Sequence, residues 1–198
     1  AYQLYDKFAN EHPDLPEASI AGYRAGLSLY HTRYYAQAIE AWQKLLQKFP
    51  NSNEAQWAAA QAADTLFRQG KHNEAKDLYK KITERYPGIP QIAMAYLRLA
   101  QIAYQANDNS EVLRQVQHVV LNFPKVPEAN DAMDLAEAVF DRNAKESFQD
   151  FFKSVIQADP KSSIAGEAQF RLGRRLFEKK DYAASAQEFQ RFSITYTD

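Results

Sequence analysis

The 198-residue sequence predicts an all-α fold, an α-solenoid of stacked antiparallel helix pairs. Three observations predict it. The composition is that of a helix-former, with 31 Ala against 6 Gly and no Cys. Five prolines, Pro13, Pro50, Pro87, Pro124 and Pro160, step by 37, 37, 37 and 36 residues, and Pro16, Pro90 and Pro127 each stand three residues after one of them. Before each stepping proline runs the same amphipathic segment. A period of roughly 20–50 residues marks stacked-repeat architectures.

The segments justify the elements in order. AYQLYDKFANEHP, AIEAWQKLLQKFP, AKDLYKKITERYP and VLRQVQHVVLNFP align without a gap; FQDFFKSVIQADP drifts further, and SAQEFQRFSITYT closes the series with Thr197 in place of proline. Tyr5, Trp42, Tyr79, Val116, Phe152 and Phe189 recur at one place, and Phe8, Leu45, Ile82, Val119, Val155 and Phe192 three residues on. Spacing of three and four puts them on one helical face. A proline past the last turn ends the helix, because it lacks an N–H and biases its predecessor away from the α region.

Upstream of each segment the pattern predicts a first helix, marked by a small residue: Gly26, Ala63, Ala100, Ala136 and Gly173. Small residues let two helix backbones approach closely. A lone hairpin cannot bury its apolar face, but stacked hairpins can. The phase gives one orphan helix and then five pairs, eleven helices in all. The units are 1–16 (partial), 17–53, 54–90, 91–127, 128–163 and 164–198, a single array over 1–198 that reads as a piece of a longer one. The residue missing from the 36-step is expected in the loop after Pro124, which keeps Ala136 in the small position.

This pattern resembles the tetratricopeptide repeat (TPR). Its marks are Leu172-Gly173, Phe177, Tyr182, Phe189, Phe192 and Tyr196 in one unit. Gly26, Tyr35, Ala38, Trp42, Leu45 and Pro50 mark a second, and Ala63, Gly70, Ala75, Tyr79 and Pro87 a third. The units depart from the family's form in running to about 37 residues rather than 34. The resemblance implies a right-handed solenoid whose first helices line a concave groove.

Composition narrows the chemistry. Lys plus Arg is 24 against Asp plus Glu 25, so no whole-chain basic field exists for nucleic acid. No run of about 18 apolar residues offers a membrane span, and the first twenty residues carry acids and prolines rather than the apolar core of a secretory signal. Without cysteine there are no disulfides, thiolate zinc sites or cysteine nucleophiles. His12, His31, His72 and His118 sit at different phases of the repeat and make no metal-binding spacing. No nucleophile elbow or phosphate-cradling glycine loop occurs. The expectation is a chain that is not an enzyme and takes no metal or cofactor.

A surface remains. The resemblance maps groove positions onto Ile20, Tyr23, Trp57, Met94 and Leu97. The twelfth position of each unit is aromatic: Tyr30, Phe67, Tyr104, Phe140 and Phe177. These aromatics serve either as a recognition strip or as packing in the seams between hairpins. Arg24, Arg98 and Arg171, with Arg68, Arg174 and Arg175, are candidates for meeting acidic side chains or a terminal carboxylate, or for a solvated face with local ion pairs. The candidate groove is therefore Ile20, Tyr23, Arg24, Tyr30, Trp57, Phe67, Arg68, Met94, Leu97, Arg98 and Tyr104. The lysines and asparagines of a chaperone-tail clamp are not matched.

The implied partner is a protein or peptide, with no nucleic acid and no membrane insertion by this segment, and with self-association through uncapped ends as a further expectation. The repeat style resembles cell-envelope tetratricopeptide proteins of Gram-negative bacteria, of the Tol–Pal coordinator or outer-membrane-assembly lipoprotein type. It implies a periplasmic or outer-membrane-associated scaffold. The alternatives are a self-assembling array, the helical part of a polysaccharide-export machine, or a cytoplasmic regulatory module.

Overall fold

A computed structural model describes residues 1–143 and 147–196. Thr197, which stands where proline would close the last segment, lies outside them. Eleven α-helices form among the described residues, and no strand. Contacts divide the chain into two compact units, Ala1–Pro87 and Gly88–Asp198. The first holds α1 (Tyr2–Glu11), α2 (Glu17–His31), α3 (Tyr35–Lys48), α4 (Asn53–Arg68) and α5 (His72–Arg85). The second opens with a 3-10 turn, Pro90–Ile92, and continues through α6 (Ala93–Gln105), α7 (Asn109–Asn122), α8 (Glu128–Arg142), α9 (Phe148–Ala158), α10 (Ser163–Glu178) and α11 (Tyr182–Thr195). Among the described residues no helix is long and apolar enough to cross a membrane.

Helix ends repeat as faithfully as helix faces. His12, Phe49, Tyr86 and Phe123, each before a stepping proline, leave the α region at φ near −130, as at Phe49 (φ −128, ψ 55). Proline at the next position disfavours helix at its predecessor. Tyr196, which threonine follows, takes the same conformation (φ −126, ψ 46), so proline is not the sole determinant. The hairpin turns carry a left-handed residue at a fixed place: Arg33 (φ 65), Gly70 (φ 75), Asn107 (φ 59) and Lys180 (φ 65). After each, an amide N–H reaches back to the helix end, as Tyr34 N to Leu29 O and Lys71 N to Leu66 O. This closure satisfies carbonyls that a helix end leaves open. Only one of the four is glycine, so the turn was not legible as a glycine signal.

The 36-residue step is the exception, and the structure moves it. The loop from Pro124 to α8 is as long as that from Pro13 to α2, and both helices run 15 residues. The lost residue lies after α8 instead, between Asn143, which ends that helix extended (φ −134, ψ 99), and Phe148 of α9, which stands in the place of Ala38. Ala136 therefore stands level with the buried Ala25 and Ala62, and Glu137 takes the place of Gly26 and Ala63. Phe140 stands level with the buried Leu29 and Leu66, inside the core against Phe148, Phe151 and Phe152. The twelfth position of that unit is Asp141, not an aromatic residue, because burial of the α8 stripe rather than residue type fixes the register.

Within the first unit α2 packs on α1 and α3 and also touches α4, and α4 packs on α3 and α5. Trp42 is fully buried, its Nε1 donating to Tyr23 O at 3.3 Å. Gly26 makes room for it: a Cβ there would stand 2.2 Å from Trp42 Nε1. Side chains tie successive turns together, Lys48 Nζ donating to Ala9 O (2.9 Å) and Arg85 Nη2 to Pro50 O (2.6 Å). The core of the second unit is branched and aromatic, with Val112, Val116, Val119, Met133, Val139, Phe152 and Leu172 fully buried.

Candidate protein-binding faces

In the first unit the predicted groove residues come together on α2 and α4. Trp57 is 44% exposed and Ile20 38%, and they stand at the same place of successive first helices. Tyr23 is half-buried, with its ring 5.9 Å from that of Trp57 and tilted by 56°. Burial pushes the Tyr23 phenol above its usual pKa, partly offset by its hydrogen bond with Gln61. It is therefore neutral at physiological pH. An aromatic pair with one polar tip suits a chain that must be gripped along its apolar side and read by hydrogen bonds. Arg24 lies exposed one turn further along α2 than Ile20.

A second cleft of about 190 Å³ is lined by Tyr30, Tyr35, Thr65, Arg68 and Gln69. Tyr30 lies seven residues beyond Tyr23, about 10 Å along the helix axis. Its ring meets Tyr35 (5.4 Å) and Trp42 (6.0 Å), so it belongs partly to the seam between hairpins and partly to the cleft. Phe67 is half-buried against His72 at 5.1 Å. Arg68 is exposed at the cleft's edge.

The second unit treats the same positions differently. Met94 is half-buried, and Leu97 is only 2% exposed, which makes it a core residue rather than a groove surface. Arg98 donates to Gln101 Oε1 at 2.8 Å. Tyr104 lies beneath Arg142, whose guanidinium carbon is 4.0 Å from the ring centroid and whose Nη1 donates to Tyr104 O and Asn107 Oδ1 at 3.0 Å each.

Arg171, Arg174 and Arg175 are already engaged within the chain. Arg171 pairs with Asp134 (2.6 Å), Glu167 (2.6 Å) and Glu137 (3.2 Å). Arg174 pairs with Glu137 (2.6 Å), and Arg175 pairs with Asp141 (2.6 Å) and donates to Glu137 O (2.9 Å). The arginines lie on α10 and the carboxylates, apart from Glu167, on α8. The Arg171 guanidinium is held above its usual pKa because bonds to Glu167 and Asp134 and the charge of Glu137 outweigh its burial. This ladder joins two hairpins rather than awaiting an acidic ligand. Its sequence signal was present: Asp134 and Arg171, like Glu137 and Arg174, stand 37 residues apart. Among the described residues no group of three or more His, Asp or Glu is arranged to hold a metal ion.

Residues 21–52 and 61–111 each match a tetratricopeptide-repeat family model. Among solved structures, a tetratricopeptide repeat protein from Parabacteroides merdae has a TM-score of 0.58 at 14% identity, covering 98% of this chain and 72% of its own. YrrB, described as a TPR protein with an unusual peptide-binding site, has a TM-score of 0.56 at 14% identity, covering 100% of this chain and 95% of its own. MamA from Desulfovibrio magneticus has a TM-score of 0.54 at 15% identity, covering 89% and 94%. No curated protein matches the chain. At such identities the likeness is one of fold. The chain carries tetratricopeptide repeats, recognised at residues 21–52 and 61–111, in an all-helical fold of the kind solved tetratricopeptide proteins share.

Proposed function

We propose that this chain is a non-catalytic scaffold that holds a peptide or protein partner against the face formed by α2 and α4, in the bacterial cell envelope. The observation that carries the reading is the Tyr23–Trp57 pair beside the exposed Ile20, an apolar surface on neighbouring first helices. Fully satisfied polar side chains would be the economical choice for a face that met only water. The description of YrrB as a TPR protein with a peptide-binding site is consistent with such a use of the fold. The envelope location rests on the repeat style alone, with its aromatic-proline helix ends and 37-residue step.

Peptides selected from a displayed library on the 198-residue chain test the face. Trp57→Ala and Ile20→Glu should each weaken the selected peptides at least tenfold while circular dichroism stays unchanged, since both side chains are exposed. Peptides that bind both variants as tightly as the parent would refute the assignment. Fractionation of cells expressing the native gene tests the location: recovery in the periplasmic or outer-membrane fraction supports it, and recovery in the cytosol alone overturns it.

A further inference from the structure

Arg142, at the end of α8, is held by the turn between α6 and α7. Its guanidinium lies over the Tyr104 ring, and it donates to Tyr104 O and Asn107 Oδ1 at 3.0 Å each and to Asn109 Oδ1. Two periods earlier the same places hold Arg68 on α4 and Tyr30, Arg33 and Tyr35 around the turn between α2 and α3. The aromatic ring is kept, but both carboxamides are gone. A second arginine replaces one, and a second phenol replaces the other.

Donors are therefore left over at this place. Among the described residues the guanidiniums of Arg33 and Arg68 and the hydroxyls of Tyr30 and Tyr35 have no hydrogen-bond or ion-pair partner. Both arginines are exposed and both tyrosines half-buried. Tyr30, Tyr35, Arg68 and Gln69 line the cleft of about 190 Å³, and Arg33 stands in the turn between the two tyrosines. Other phenols of the chain are used internally, Tyr79 donating to Asp64 and Tyr196 to Pro160 O at 2.6 Å. The cleft lies inside the array, since α1 packs beside α2 and α5 beside α4. A guanidinium can only donate, and an ionised carboxylate can only accept, at about four lone-pair sites. Two arginines and two phenols around one cleft match that acceptor, and charge-assisted bonds of this kind are the strong ones.

We propose that this cleft binds the carboxylate of an aspartate or glutamate side chain in a peptide partner, with Arg68 as the fork and Arg33, Tyr30 and Tyr35 completing the donor set. The location of the rest of the peptide rests on the α2–α4 face proposed above. Trp57, Gln61, Asp64 and Arg68 follow at spacings of four, three and four, which makes them one stripe of α4, and Tyr23 and Tyr30 stand seven apart on α2. The acid on that stripe, Asp64, is already engaged by Tyr79. From the Tyr23–Trp57 pair to Tyr30 and Arg68 is about 10–16 Å along the helix axes, the reach of about three to five extended residues. The partner is thus a peptide with an apolar side chain for the aromatic pair and an acidic one three to five residues away.

Peptides selected from the displayed library on the 198-residue chain are the probes. Those that depend on Trp57 should be enriched in Asp or Glu three to five residues from an apolar side chain. With the tightest of them made synthetically, fluorescence anisotropy should show Arg68→Gln weakening binding at least tenfold. Replacing the acid by its amide in the peptide should do the same, and the two changes together should cost little more than either. Arg33→Asn combined with Tyr35→Asn rebuilds the pair that holds Arg142, and should remove the preference for the acid although Arg68 remains; asparagine accepts the left-handed backbone of Arg33 (φ 65). Arg68 is exposed, so circular dichroism of Arg68→Gln should match the parent, and that variant decides. Trp57-dependent peptides with no acid at this spacing, or an acidic peptide indifferent to Arg68→Gln, overturn the proposal and leave the α2–α4 face standing. Acidic peptides that need Arg68 but not Trp57 support the cleft and overturn the face. Sedimentation showing that a second copy of the chain fills the cleft through Arg68 and excludes the peptide also overturns the proposal.

Discussion

The contact between Gly26 and Trp42 offers a sharp test of the repeat packing. Gly26→Ala adds a single methyl group to a helix interior. By helix propensity alone the change should stabilise by about 1 kcal/mol. The structure predicts the opposite sign. The new Cβ would stand 2.2, 2.4 and 2.6 Å from Nε1, Cδ1 and Cε2 of the indole, where ordinary contact begins at 3.4 Å. Trp42 must then retreat by about 1.2 Å from a site where it is fully buried. Overpacking of this kind costs about 1–3 kcal/mol. Displacing the Trp42 Nε1 bond to Tyr23 O adds about 1 kcal/mol. Net of the propensity gain, the first unit should lose about 1–3 kcal/mol. For a chain of this size that is a fall in Tm of roughly 3–10 °C. Thermal and urea unfolding followed by circular dichroism and tryptophan fluorescence measure it, with Gly88→Ala as control because nothing lies within 4 Å of its Cβ position. A Gly26→Ala variant melting at or above the parent would mean that α2 and α3 do not meet as described.

The α8–α10 ladder and the second unit's histidine give two more expectations. Arg171→Met should cost about 1–3 kcal/mol, because the guanidinium is nearly buried among three carboxylates. Arg114→Ala, which breaks the more exposed pair with Glu111, should cost less than about 1 kcal/mol; equal unfolding midpoints for the two variants would contradict the ranking. Burial first, and then the charge of Arg114, hold the His118 imidazole below its usual pKa. The unfolded chain therefore binds more protons, so this contribution is complete above the unfolded value of about 6.5 and is lost as pH falls through the folded one. Urea midpoints should drop between pH 7.5 and pH 5.0, and His118→Gln should reduce that drop; an unchanged drop would show that His118 is not its source.

How much was legible follows from which interactions are local in sequence. The six aligned segments announced α1 and the five second helices because an amphipathic stripe with spacing three and four is a property of consecutive residues, and the recurring small residue upstream announced the five first helices. Gly26 announced close packing because a small residue recurring at a fixed place of the repeat is a sequence-level pattern. The burial of Leu97 was not legible. It sits at the place of Tyr23, but only the neighbouring helices decide whether that place is open or covered. The shift at Phe140 was missed for the same reason, since an aromatic residue at position 140 fits either register and burial chooses between them.

The sequence by itself determined the helices and, within each unit, their pairing into hairpins, because each is set by a stripe or a proline that neighbouring residues supply. Tertiary structure alone decided where polar charge was consumed and where apolar surface was left over. Asp134, Glu137 and Asp141 on α8 meet the arginines of α10 across two hairpins, and Leu97 is covered where Tyr23, two periods earlier, is only half-buried. Burial is a property of what lies opposite, and what lies opposite is fixed only when the helices have packed.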